Sequence, residues 1–227
     1  MPALRNILVA VQPGSPDAHP LEPARWLAQC AGARLTVLSV PPVAVPAIEI
    51  AREAESRGAD LVVLGREPPA ATDFRHDHGT VEGTVRRARV PCLLLPRGPL
   101  AVRRVLAAID GGPDSRDIVR AALLIGRLFD ATVRSLRVEQ PVLTGVGAPA
   151  SSEDATLSAS YGRGSVVDAI VREGDPVPEV LRVVREEGAD LLVLGHHRGG
   201  PVSAHATSGV AARLLQRAPC AVLTVPI

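Results

Sequence analysis

Five of the six histidines crowd into two stretches, His76 and His78 in one and His196, His197 and His205 in the other. Histidine clusters suggest metal, but no cysteine accompanies these and no two of them stand at helical i, i+4 spacing, so they read as solvated loop residues. The three thiols are far apart. Cys92 and Cys220 each follow a proline at the head of an apolar run, where buried, inert cysteines are expected. No Gly-x-Ser-x-Gly elbow is present, and no paired carboxylates mark an acid and a base. Two features remain: the step Asp110-Gly111-Gly112, and a stretch from Gly195 to Gly209 dense in glycine and hydroxyl residues. Turn chemistry alone accounts for the first, its carboxylate capping the helix that follows. Residue types therefore nominate no catalytic group and no metal ligand.

Whatever positions these residues must be built from aliphatic side chains. The 227 residues are 46% hydrophobic but only 2% aromatic, which suits buried parallel strands covered by helices. Charges nearly cancel at +1, so no global field favours nucleic acid or an anionic membrane. Every basic side chain is arginine, which removes lysine-based phosphate clamps and Schiff-base chemistry. No apolar run approaches the ~18 residues of a membrane span. The opening Met1-Pro2-Ala3-Leu4-Arg5-Asn6 carries no secretory pattern, and the expectation is a cytoplasmic protein with reduced thiols.

The chain repeats itself. Gly58-Ala59-Asp60-Leu61-Val62-Val63-Leu64-Gly65 returns as Gly188-Ala189-Asp190-Leu191-Leu192-Val193-Leu194-Gly195, offset by 130. At the same offset Leu93–Pro96 falls on Leu223–Pro226. Nearer each start the offset is 98: Ile7–Val11 matches Val105–Ile109, and Ala33–Val40 matches Ala131–Val138. The extra residues of the second copy lie between Val138 and Gly188. Two constant offsets predict a tandem duplication with a boundary near residue 99, giving units 1–99 and 100–227. Each unit alternates β-branched runs with helical patterns, which implies βαβ crossovers. In the second, strands are expected at 104–109, 132–138, 166–172, 190–194 and 220–225, with helices near 114–128, 177–187 and 207–217. Val142 to Gly164, rich in Ser, Gly and Ala, is expected to be a mobile connection with room for a short helix. The first unit, its middle cut to Pro41-Pro42-Val43-Ala44-Val45-Pro46, is expected to lack about one helix.

The succession Ile109-Asp110-Gly111-Gly112, Glu173-Gly174-Asp175-Pro176, Gly188 to Gly195 and Ala218-Pro219-Cys220-Ala221-Val222-Leu223 resembles the universal stress protein family. The resemblance implies two tandem open sheets of five parallel strands in order 3-2-1-4-5, flanked by helices. It also implies an adenine nucleotide at the carboxyl ends of the strands. Nucleotide-binding members carry Asp after strand 1, then Gly, two residues, Gly, nine residues, and Gly with Ser or Thr after strand 4. Such glycines admit backbone amides to phosphates, and the helix start adds favourable partial charge. The second unit keeps Asp110 and Gly195, but has Arg198 at the second glycine and Ser208-Gly209 at the closing pair. Gly111, Gly199, Gly200 and Thr207 complete the candidate cofactor site, and Arg198 could itself pair with a phosphate. The first unit has Gln12, Pro68 and His78-Gly79 at the matching places, and prolines remove donors there. ATP or a related nucleotide is therefore expected only in the second unit.

Three functions follow from the resemblance. The first is a non-enzymatic stress-response or regulatory protein whose units pack as an intramolecular pseudo-dimer through their last strands. The second is an adenine-nucleotide sensor acting through the second unit. A nucleotide-hydrolysing enzyme ranks behind both, since no catalytic residue is visible. A further homodimer and a protein partner stay open, with no role for nucleic acid or membrane.

Overall fold

The computed structural model describes residues 4–12, 19–40, 46–66, 78–140, 167–197 and 209–227. In chain order these form β1 (Asn6–Val11), α1 (Leu21–Ala31), β2 (Arg34–Ser39), α2 (Pro46–Ser56), β3 (Leu61–Arg66), α3 (His78–Arg87) and β4 (Cys92–Pro96). The second half follows with β5 (Arg104–Ile109), α4 (Ser115–Phe129), β6 (Thr132–Glu139), β7 (Asp168–Glu173), α5 (Pro176–Glu186), β8 (Leu191–His196), α6 (Val210–Arg217) and β9 (Ala221–Pro226). The stretch 142–164, expected to be a loop, lies outside the described residues. No helix among those described is long and apolar enough to cross a membrane.

All nine strands join one sheet in the order β2-β1-β3-β4-β9-β8-β5-β6-β7. Every neighbouring pair is parallel except β4 with β9. The second half runs 3-2-1-4-5, as expected. The first half corrects the expectation of five strands, because its order is 2-1-4-5 and its edge strand is missing, while each described helix of the second half has a counterpart in it. Among the described residues the deficit is therefore a strand. Only six residues separate Ser39 from Pro46, too few for an extra strand with its own crossover, so the chain passes from β2 through α2 directly to β3.

The internal repeat reaches the level of register. Asn6 pairs with Arg34 and Arg104 with Thr132; Ile7 pairs with Leu61 and Val105 with Leu191; Val62 pairs with Cys92 and Leu192 with Val222. Each second-half pair is the first-half pair moved by the two sequence offsets. Strand alternation then sorts the core onto two faces. Ile7, Val9, Leu61, Val63, Leu191 and Val193 meet α1 and α4 on one face, whereas Leu8, Val62, Leu64, Leu192 and Leu194 meet the remaining helices on the other. The two α1-type helices also touch through Trp26 and Phe129, whose ring centroids lie 4.9 Å apart.

The repeated Gly-Ala-Asp step has a mechanical role. Gly58 and Gly188 take φ of +58° and +56° just beyond α2 and α5, a conformation in which a side chain is strained. The turn buries Ala59 and Ala189 and delivers Asp60 and Asp190 to the amino ends of β1 and β5. There Asp60 Oδ2 accepts the backbone N–H groups of Arg5 and Asn6 at 2.8 and 2.9 Å. Asp190 Oδ2 accepts those of Arg103 and Arg104 at 2.9 and 3.0 Å.

At the β4–β9 seam Cys92 faces Thr224, Leu93 faces Leu223 and Leu94 faces Val222. Leu93 and Leu223 are repeat equivalents, so the register is symmetric about them. Arg66 crosses the seam from β3: one guanidinium nitrogen donates to Leu215 O at 2.7 Å, and another donates to Ala218 O at 2.6 Å and Cys220 O at 2.9 Å. It thereby satisfies carbonyls at the end of α6, where the helix dipole also favours a cation. Replacing Arg66 with Met should cost about 2 kcal/mol, because the carbonyls lose charge-assisted donors, and urea denaturation would measure the loss.

The buried thiols flank the same seam. Burial pushes the Cys92 thiol up from 9.0 to about 12, against a weaker opposing effect of Thr224. Burial likewise raises Cys220 to about 11, with the Arg66 guanidinium working the other way. The folded chain holds both thiols neutral. Their contribution to stability is therefore complete below about pH 9 and is lost as pH rises from there toward 11 and 12. The urea midpoint should fall across that range, and less steeply in Cys92→Ala. Under native conditions at neutral pH a maleimide should modify Cys30 alone, since it is the exposed thiol, and all three cysteines only after unfolding.

Candidate functional site

In the second half β5 lies between β6 and β8, so the chain leaves it in opposite directions on its two sides. A crevice is expected where that order reverses, outside the carboxyl ends of the strands. A cleft of about 590 Å³ opens there. Its floor is aliphatic, formed by Ala108 of β5, Leu136 and Val138 of β6 and Leu194 of β8. Pro176 and Val180 of α5 form one wall, and Gly209 to Ala212 at the amino end of α6 form another.

Asp110, Gly195 and Gly209, three of the residues nominated from sequence, border this one cleft. Asp110 follows the end of β5. Its Oδ1 accepts the Gly112 N–H at 2.8 Å and the Ser115 hydroxyl at 3.1 Å, and Ser115 Oγ in turn accepts the Gly111 N–H at 3.1 Å. The turn expected from Asp-Gly-Gly is thus present, but the carboxylate reaches the buried Ser115 at the start of α4 through its hydroxyl. Gly111 has φ +81° and lies under the Arg137 guanidinium, whose carbon stands 2.9 Å from where a Cβ would be. Gly195 is held in a tight space: a Cβ there would stand 2.7 Å from Ile227 Cδ1 and 2.9 Å from Ile118 Cδ1. Close packing of aliphatic chains is thus one reason for glycine at this position. Arg198, Gly199, Gly200, Thr207 and Ser208 lie outside the described residues.

His196 and His197 border the cleft as well, His196 buried in β8 and His197 exposed. Among the described residues no group of three or more His, Cys, Asp or Glu side chains could hold a metal ion. The matching place in the first half is arranged differently. Gly65, the equivalent of Gly195, lies against His19 and Pro20, and a Cβ there would stand 3.3 Å from the His19 ring. That ring is fixed in turn by a hydrogen bond with Leu95 O at 3.0 Å.

Sequence reasoning missed one wall entirely. Glu82, Val85 and Arg86 of α3, in the first half, also border the second-half cleft. The signal was available in the pairing of the last strands. Once β4 and β9 lie side by side, α3 and α6, which precede them in the two repeats, must become neighbours. They pack together, and the Gln216 amide donates to the Glu82 carboxylate.

Comparison with known proteins agrees with this architecture. The family model described as "Universal stress protein family" matches residues 101–226. A curated universal stress protein from Methanothermobacter thermautotrophicus is 35% identical over 54 residues, which span 24% of this chain and 36% of that relative. Among solved structures, a universal stress protein from Archaeoglobus fulgidus aligns with a TM-score of 0.69 at 16% identity, covering 98% of this chain and 86% of its own. A putative universal stress protein from Pseudomonas aeruginosa aligns with a TM-score of 0.70 at 18% identity, covering 99% and 94%. At such identities these likenesses show the fold. With its second half matched from end to end by the family model, the chain belongs to the universal stress protein family.

Proposed function

We propose that the protein is a cytoplasmic regulatory member of its family, without catalytic activity, that senses an adenine nucleotide through its second half. The observation that carries this reading is the switch-point cleft, which gathers Asp110, Gly195 and Gly209 around an aliphatic floor. Its size falls within the range of about 300–1,000 Å³ usual for small-molecule sites. The floor suits the faces of a base and ribose. Asp110, with two acceptor bonds used at Oδ1, keeps acceptor capacity for a ribose hydroxyl or an exocyclic amine. The amino end of α6 offers unpaired backbone N–H groups to phosphates, and Arg198, Gly199, Gly200, Thr207 and Ser208 complete the site in this proposal.

In the same proposal the units divide near residue 99 and act as a pseudo-dimer. The first unit, with His19 and Pro20 against Gly65, takes no nucleotide. The symmetric register of β4 with β9 supports the pseudo-dimer.

Saturating Mg-ATP at about 100 times its dissociation constant should add ~2.7 kcal/mol of stability. For a chain of this size the melting temperature should then rise by roughly 5–10 °C, and by much less in Asp110→Ala. A melting temperature that stays unchanged in millimolar ATP, AMP and cyclic AMP would remove the sensor reading. Phosphate release from ATP that disappears in Asp110→Ala would instead make the protein an enzyme.

A further inference from the structure

We propose that the second-half cleft is completed by the first half: Arg86 on α3 supplies the cation that holds the phosphates of the bound nucleotide. The inference rests on the nucleotide reading of that cleft given above and deepens it.

Glu82, Val85 and Arg86 stand at i, i+3 and i+4, a spacing that puts all three on one face of α3. That face borders the cleft. Val85 is buried, and the Gln216 amide of α6 binds the Glu82 carboxylate, so the helix is fixed at this edge by both packing and a polar contact. Arg86 is exposed and forms no ion pair among the described residues, in contrast to Arg57, Arg89, Arg134 and Arg182, which all pair with glutamates.

The charge balance of the cleft then decides its role. Among the described lining residues the acidic and basic side chains other than histidine are Glu82, Asp110 and Arg86. Arg86 is the cation among these described residues, and in the proposed site its charge adds to that of Arg198 at the phosphates. The acidic Asp110 side can then take the sugar or base, while the guanidinium, which borders the same cleft as the amino end of α6, takes phosphate oxygens in its planar fork. On this view the first half, unable to hold a nucleotide of its own, is retained as a wall and a charge for its neighbour.

The test compares ATP with adenosine, which lacks phosphate, by isothermal titration of the full-length protein and the variants Arg86→Ala, Arg86→Lys and Arg89→Ala. Arg89 pairs with Glu55 away from the cleft, so its variant controls for loss of a positive charge on the same segment. ATP should bind Arg86→Ala about tenfold or more weakly than wild type, the scale of a lost charge-assisted contact. Adenosine binding should be unchanged, Arg86→Lys should recover part of the ATP affinity, and Arg89→Ala should behave as wild type. Equal ATP affinity in wild type and Arg86→Ala would overturn the assignment. So would a parallel loss for adenosine, which would mark a structural wall. Either result leaves the nucleotide reading standing, whereas a wild-type protein that takes no ATP removes both.

Discussion

Backbone pairing between β4 and β9 is the interaction on which the rest of this molecule depends. Each is the last strand of its repeat, and each is apolar along nearly its whole length: Leu93, Leu94 and Leu95 on one side, Val222 and Leu223 on the other, are all almost fully buried. Left open, such edges would present unpaired N–H and C=O groups on a flat aliphatic strip, the arrangement most prone to promiscuous strand addition. Pairing them makes both strands interior and merges two small sheets into one. The strands left at the rims, β2 and β7, are by contrast only partly buried.

The seam also determines which side chains can cooperate. It sets α3 beside α6, lets Arg66 reach the carbonyls at the end of α6, and brings Cys92 and Cys220 into one dry region. Arg66 stands at the position equivalent to His196, so the two copies are not interchangeable where they meet the seam: one sends a guanidinium across it and the other keeps a buried imidazole in β8. A duplicated chain is free to diverge in this way, whereas two identical subunits would have to carry the same residue at both places.

Much of the fold was legible in the sequence because its signals are local and repeated. Short β-branched and aliphatic runs marked the strands of the second half to within two residues at their starts, and the helix expected near 177–187 is α5, where the Asp175 carboxylate accepts the Val177 N–H. The missing edge strand of the first half was not foreseen because a shortened connection looks the same in sequence whichever element it deletes; the strand order reveals it. The candidate cleft was legible as far as one repeat could describe it, since Asp110, Gly195 and Gly209 all border it. The α3 wall was not, since Glu82, Val85 and Arg86 look like an ordinary solvated helix face until the pairing of two distant strands is drawn. Nor did the sequence separate packing from ligand contact at Gly195, where Ile118 and Ile227 press close.

The carboxylate ties of Asp60 and Asp190 share a direction. Both fasten the sheet at the end where the strands begin, and both survive unaltered in the two copies. At the opposite end the copies have parted company: Gln12 against Asp110, Arg66 against His196. Wear after duplication has therefore been polarised along the strand axis. One pole serves as a keel common to both copies, and the other is a deck that each copy has fitted out in its own way.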